Sequence, residues 1–153
     1  VMARDLTTCR QMVFRSNEIK KAVVEKDPTE QGERAYLNFG HTLGHAVEKL
    51  KNFTMLHGHC VGLGCVAAAR ISCLNGTLSE TEADDIKHTM VSFELPTTVD
   101  SLIWKEVFDA TKSDKKMEAG KVKFVLLNGI GDAYVDHSLS EDEIRAGFEA
   151  VSL

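Results

Sequence analysis

The stretch from Leu37 to Ala69 reads LNFGHTLGHAVEKLKNFTMLHGHCVGLGCVAAA. It holds His41, His45, His57 and His59, four of the chain's six histidines, with two of its four cysteines and five of its eleven glycines. Its spacing predicts two helices. The first runs from Tyr36 to Leu50, with Asn38 placed to cap it and His41 one turn in. His41 and His45 are four apart and share a helical face, as do Thr42 and Ala46. A short connection, Phe53 to Gly58, carries His57. The second helix, Cys60 to Leu74, is apolar on nearly every side and is expected to be the central buried helix. Gly62, Gly64, Ala67 and Ala68 would let another helix approach it closely, and Asn75 and Gly76 stop it.

Outward from this core, the flanking segments also read as helices. Toward the N-terminus, Leu6, Cys9, Met12, Val13 and Ile19 recur at helical steps between Arg4 and Lys26, with Asp5 as N-cap. KDPTEQGER, from Lys26 to Arg34, reads as a charged loop, because Pro28 biases Asp27 away from helix and Gly32 permits a turn. Toward the C-terminus, Ser79 with Glu82 and Ser140 with Glu143 each form a capping-box pattern. They open helices running to about Phe93 and to Val151, with a shorter helix, Ser101 to Thr111, between them. SDKKMEAGK, from Ser113 to Lys121, is a second charged loop. Val122 to Leu127 and the segment AYVDHS are strand-like and are joined by the turn NGIGD, which predicts one β-hairpin. The expected class is mainly α, a single domain of about six helices with one late hairpin. Strands and helices do not alternate, so no parallel nucleotide-binding sheet is expected.

Bulk composition narrows the function. The chain has 153 residues, 43% of them hydrophobic and 27% charged, with a formal net charge of -5. No run of Lys or Arg suggests a nucleic-acid groove, so no nucleic-acid partner is expected. No apolar stretch approaches the about 18 residues of a membrane span. The start, VMARDLTTCR, lacks the apolar core of a signal peptide, which makes a cytoplasmic protein the default expectation. Cys9, Cys60, Cys65 and Cys73 show no C-x-x-C spacing and read as reduced thiols.

The histidines carry the chemistry. His41 and His45 on one face, with His57 entering from the next connection, can converge on a divalent metal. Three histidines, or two with a carboxylate, leave a position open for catalysis. Thr42 stands where the zinc-protease helix would carry Glu, so that motif is absent. Gly62 to Ala67 matches a G-x-G-x-x-A dinucleotide fingerprint, but no strand precedes it, and helix packing accounts for its glycines. Lys20, Arg34, Lys115 and Lys116 are candidate contacts for an anionic substrate.

LNFGHTLGHAVE followed by LHGHCVGLGCVAAA resembles 3-dehydroquinate synthase. The upstream set Lys20, Val23, Val24, Asp27, Glu30, Gly32 and Arg34 and the late DKK and GKVKFVLLNGIG segments are similar to the same family, in the same order. The resemblance implies the helical C-terminal domain of an NAD- and metal-dependent, phosphate-eliminating enzyme of the shikimate pathway. That enzyme converts 3-deoxy-D-arabino-heptulosonate 7-phosphate, a phosphorylated sugar acid, to 3-dehydroquinate. It also implies Zn2+ or Co2+ as the metal, a homodimer, and an N-terminal domain, absent from this chain, that binds most of the NAD. A chain without that domain is expected to be inactive alone.

Carried over residue by residue, His41 and His57 match the metal histidines and His45 the one that handles protons. Glu30 matches a catalytic carboxylate. Lys20, Arg34, Asn38 and one of Lys115 and Lys116, with Lys116 the better match, correspond to substrate contacts. Two departures follow. His59 stands where the family usually has Glu, so the groups behind the metal histidines are expected to be rebuilt. The family's third metal ligand, a Glu, belongs to a motif before Val1, and Glu18 in NEIKK does not replace it. Other readings are a different sugar phosphate cyclase such as 2-deoxy-scyllo-inosose synthase, a metal-dependent alcohol dehydrogenase of glycerol dehydrogenase type, and a non-catalytic helical interaction domain.

Overall fold

The computed structural model describes the backbone of residues 5–112, 117–118 and 121–153. Lys115 and Lys116 lie outside the described residues. Two compact units are present, Val1–Leu37 and Asn38–Leu153.

The first unit is built on helix α1, Leu6–Lys26. Asp5 caps it as expected, its carboxylate accepting from the Thr8 N–H at 2.7 Å. The following loop is organised by Asp27, whose side chain accepts from the N–H groups of Gln31, Gly32 and Arg34 at 3.0, 2.7 and 3.1 Å. Burial raises the Asp27 carboxyl, but those donors outweigh it and hold the group below the ordinary carboxylate range. A 3-10 helix, Glu33–Asn38, follows.

The second unit contains α2 (His41–Leu50), α3 (His57–Leu74), α4 (Glu80–Ser92), α5 (Trp104–Lys112) and α6 (Glu141–Glu149). α3 is the central element, with Cys60, Leu63, Ala67 and Ile71 at or near zero exposure. Residues of α2, α5, α6 and the hairpin join it in one core that includes Val47, Val107, Phe124, Leu126, Ile144 and Phe148. Both capping boxes form, at Ser79 with Glu82 and at Ser140 with Glu143.

The described residues include four strands: β1 (Met117–Glu118), β2 (Lys121–Val122), β3 (Phe124–Gly129) and β4 (Asp132–Asp136). β3 and β4 form the predicted antiparallel hairpin, with Leu126 opposite Tyr134. β1 pairs with β2, so Met117, Glu118 and Lys121, expected in a charged loop, lie in short strands instead, while Val122 is in strand as expected. The hairpin is pinned to α3 through Ser72, whose hydroxyl accepts from the Leu127 N–H at 3.0 Å and donates to the Ala68 carbonyl at 2.8 Å. Thr77 adds a bond from its hydroxyl to the Leu127 carbonyl, 2.8 Å.

Three helix starts in the second unit differ from the expectation. α2 starts at His41, not Tyr36, and Asn38 does not cap it. Gly40 takes that place with φ +76°, a left-handed conformation that ends the preceding 3-10 turn and suits glycine. α3 starts earlier than Cys60, so His57 is its first residue and not part of a connection. α5 starts at Trp104, after Ser101 takes a positive φ of 54°.

The close approach of α2 and α3 brings the histidines together. A Cβ placed on Gly64 would sit 1.8 Å from the Gly40 carbonyl oxygen, and one on Gly44 would meet the Cys60 carbonyl at 3.0 Å. The expected small-residue contact is therefore real at Gly64. Gly62 instead faces Met90 and Leu95 at ordinary van der Waals distance.

Candidate metal centre

Three imidazoles converge where α2 meets the start of α3. The ring centroids of His41 and His45 are 5.3 Å apart, and His57 lies 5.6 Å from each. One nitrogen from each ring lies within 4.8 Å of the others. His41 and His45 are half-buried and His57 is exposed. The helical pair arises from four-residue spacing, and His57 enters because α3 begins there.

The partners of two rings set their tautomers. His41 Nδ1 is 3.1 Å from the Phe39 carbonyl oxygen. A carbonyl only accepts, so Nδ1 carries the proton and Nε2 is left to bind. His57 Nδ1 lies 3.2 Å from both carboxylate oxygens of Glu48. A carboxylate oxygen accepts, so Nδ1 of His57 carries the proton and the Nε2 lone pair is left to bind.

Neutral imidazole nitrogens of this kind suit Zn2+ or Co2+. A tetrahedral Zn2+ with bonds of about 2.1 Å needs nitrogens about 3.4 Å apart, and the three ring nitrogens already lie within 4.8 Å of one another. The donor set therefore fits such an ion, and the geometry serves two or three histidine ligands equally.

Cys65, on the α3 side, donates weakly from Sγ to the same Phe39 carbonyl at 3.7 Å. Burial pushes its thiol up to about 12, so it is a neutral packing group and not a nucleophile. Burial, followed by the charge of Glu48, also raises Cys60. A cavity of about 330 Å³ beside the rings is lined by Thr42, His45, Glu48, Lys49, Phe53 and Ala110, among others.

The remaining candidates are placed as follows. Asn38 ends the 3-10 helix. Lys20, Glu30 and Arg34 stand in the first unit: Lys20 is exposed on α1, and Glu30 is exposed with φ +58°. Arg34 donates from Nη1 to the Pro28 carbonyl at 2.6 Å. His59, the departure from the family pattern, does not join the imidazole cluster. It lines a shallow cavity with Lys51, Thr54, Asp100 and Leu153. The carboxylate behind His57 comes from Glu48, which the sequence reading did not single out. Its position seven after His41 and three after His45, on the same helical face, was the available signal.

Comparison with known proteins bears on this arrangement. Residues 1–117 match the family described as 3-dehydroquinate synthase C-terminal. The 3-dehydroquinate synthase of Acetivibrio thermocellus is 39% identical over 126 residues, covering 82% of this chain and 35% of the relative. That of Symbiobacterium thermophilum is 38% identical over 153 residues, covering 99% of this chain and 43% of the relative. The chain thus spans less than half the length of these curated relatives.

Among solved structures, 2-epi-5-epi-valiolone synthase from Streptomyces hygroscopicus subsp. jinggangensis 5008, with NAD+ and Zn2+ bound, superposes with a TM-score of 0.77 at 24% identity. The match covers 95% of this chain and 39% of that one. A 2-deoxy-scyllo-inosose synthase complexed with carbaglucose-6-phosphate, NAD+ and Co2+ gives 0.68 at 21% identity, covering 75% and 33%. At these identities the likeness is one of fold.

Proposed function

Because this chain belongs to the 3-dehydroquinate synthase C-terminal family, we propose that it is the metal- and substrate-binding part of a sugar phosphate cyclase. The observation that carries the reading is the convergence of His41, His45 and His57 on one point. A bound Zn2+ or Co2+ would polarise a substrate carbinol oxygen and ease loss of hydride to NAD.

The chain's own residues then have these roles. His41 and His57 hold the metal, their Nε2 atoms turned to it by the Phe39 carbonyl and Glu48. His45 holds and moves a proton beside them. Glu30 acts as a catalytic carboxylate, and Lys20, Arg34, Asn38 and Lys116 or Lys115 bind the anionic and hydroxyl groups of the substrate. Such cations fix phosphate and carboxylate so that proton transfers occur in a set geometry. NAD binding is assigned, as the family resemblance implies, to a domain outside these 153 residues, so they alone are expected to give no turnover. Measured turnover by this chain alone would overturn that statement. Leu6, Val13, Phe14 and Ile19 on α1 are exposed. Apolar surface of this kind favours association, and a homodimer is the expected assembly, readable by sedimentation.

Two substrate readings remain distinct. Curated relatives at 36–39% identity favour 3-deoxy-D-arabino-heptulosonate 7-phosphate and the route to aromatic amino acids. The second reading is another phosphorylated sugar, the class to which the carbaglucose-6-phosphate of the 2-deoxy-scyllo-inosose synthase complex belongs, whose fold this chain shares. A substrate panel on full-length protein supplied with NAD+ and Zn2+ decides between them. Phosphate release from the heptulosonate alone supports the first reading. Turnover of another sugar phosphate in its place supports the second, and stoichiometric NADH from any alcohol would defeat both.

A further inference from the structure

Resting on the metal-centre reading, we infer that Glu48 is the positioning residue of the centre: it orients His57, sets its tautomer and places a negative charge behind it. The position follows from helix geometry. Residues 41, 45 and 48 recur at steps of four and three and so line one face of α2. The glycine contact between α2 and α3 then brings the first residue of α3 within reach of that face.

Exposure separates the two partners. The His57 side chain is 54% exposed, whereas that of Glu48 is only 18% exposed. A histidine that open, at the first turn of a helix, has little packing to restrain its ring. Its Nδ1 is held instead by a carboxylate that is mostly out of water, at 3.2 Å from each oxygen. His41 differs in kind, because a main-chain carbonyl holds it and no side-chain substitution at that position removes the acceptor. Glu48 is therefore the adjustable member of the pair. A carboxylate behind a ligating imidazole also raises the basicity of the distal nitrogen. The residue at position 59 takes no part, since His59 lines a different cavity.

The test uses the whole chain with E48A, E48Q and, as control, H57A, checked for folding by circular dichroism. The first readout is the His57 tautomer in metal-free protein, from long-range proton–nitrogen NMR. Wild type is expected to show Nδ1–H, and E48A a shift toward Nε2–H, which a merely structural role would not produce. The second readout is titration with Zn2+ alone. E48A should bind about 10–100-fold more weakly, the range for lost partners of ligating histidines. E48Q, which keeps an acceptor oxygen but loses the charge, should retain the tautomer and fall between the two.

Wild-type tautomer and wild-type affinity in E48A would overturn the inference. If E48A does not fold, undiminished binding by E48Q overturns it, and weakened binding with the tautomer retained upholds it. The metal reading fails separately. A wild type that binds no Zn2+ while E48A still changes the tautomer would leave Glu48 orienting His57 and remove the metal. Zn2+ binding lost in H57A but intact in E48A would do the reverse.

Discussion

The Phe39 carbonyl accepts from His41 Nδ1 and from Cys65 Sγ, at 3.1 and 3.7 Å. The thiol can donate only while protonated. Burial moves its pKa from 9.0 to about 12, so it stays protonated at every ordinary pH. The unfolded chain ionises this thiol near 9.0, whereas the folded chain keeps the proton until about 12. Between those values the unfolded state binds fewer protons, so rising pH favours unfolding. The contribution is complete below the unfolded value and is lost as pH rises toward the folded one, with a slope approaching about 1.4 kcal/mol per pH unit. Urea unfolding of wild type and C65A between about pH 8 and about pH 10.5 should show the steeper decline in wild type. Parallel curves would contradict it. Alkylation at mildly alkaline pH should reach the partly exposed Cys9 well before the buried Cys65.

Between elements, the α2–α3 seam sets the geometry of the centre. G64A would drive a methyl group into the Gly40 carbonyl, 1.8 Å away, where backbone and not a flexible side chain must yield. The expected cost is about 3 kcal/mol or more, with loss of Zn2+ binding, because overpacking without a rearrangeable neighbour is at the costly end. G58A, six residues earlier in the same helix, meets nothing within 4 Å. It should be neutral or stabilising by about 0.5–1 kcal/mol, as alanine is the better helix former. Chemical denaturation of both variants reads the contrast, and equal effects would mean that the seam is looser than its geometry. At the hairpin contact, S72A leaves the buried Leu127 N–H without its acceptor and should cost about 1–3 kcal/mol. A wild-type midpoint in S72A would show that the amide finds another partner.

At the scale of the whole molecule, metal binding should appear as stability. A ligand that binds only the folded state adds about 2.7 kcal/mol at a hundred times its dissociation constant. Zn2+ should therefore raise the melting temperature, and a chelator should reverse the rise. H41A and H57A should each abolish it. A thermal shift that survives in both variants would place the ion elsewhere. Among the described residues, no helix is long and apolar enough to cross a membrane.

Much of this organisation was legible in the chain itself. The caps at Asp5, Ser79 and Ser140, the apolar α3 and the late hairpin all follow from residues within a few positions of one another, because capping and periodicity act over one or two turns. The shared face of His41 and His45 is local in the same way. Tertiary structure alone decided the start of α2, since Gly40 takes its left-handed conformation pressed against the backbone of Cys65 and Val61. It also decided that His57 opens α3 and meets the other two rings, and that Glu48, not a residue at position 59, stands behind it. These are contacts across the α2–α3 seam, and no spacing within one helix specifies the distance to another.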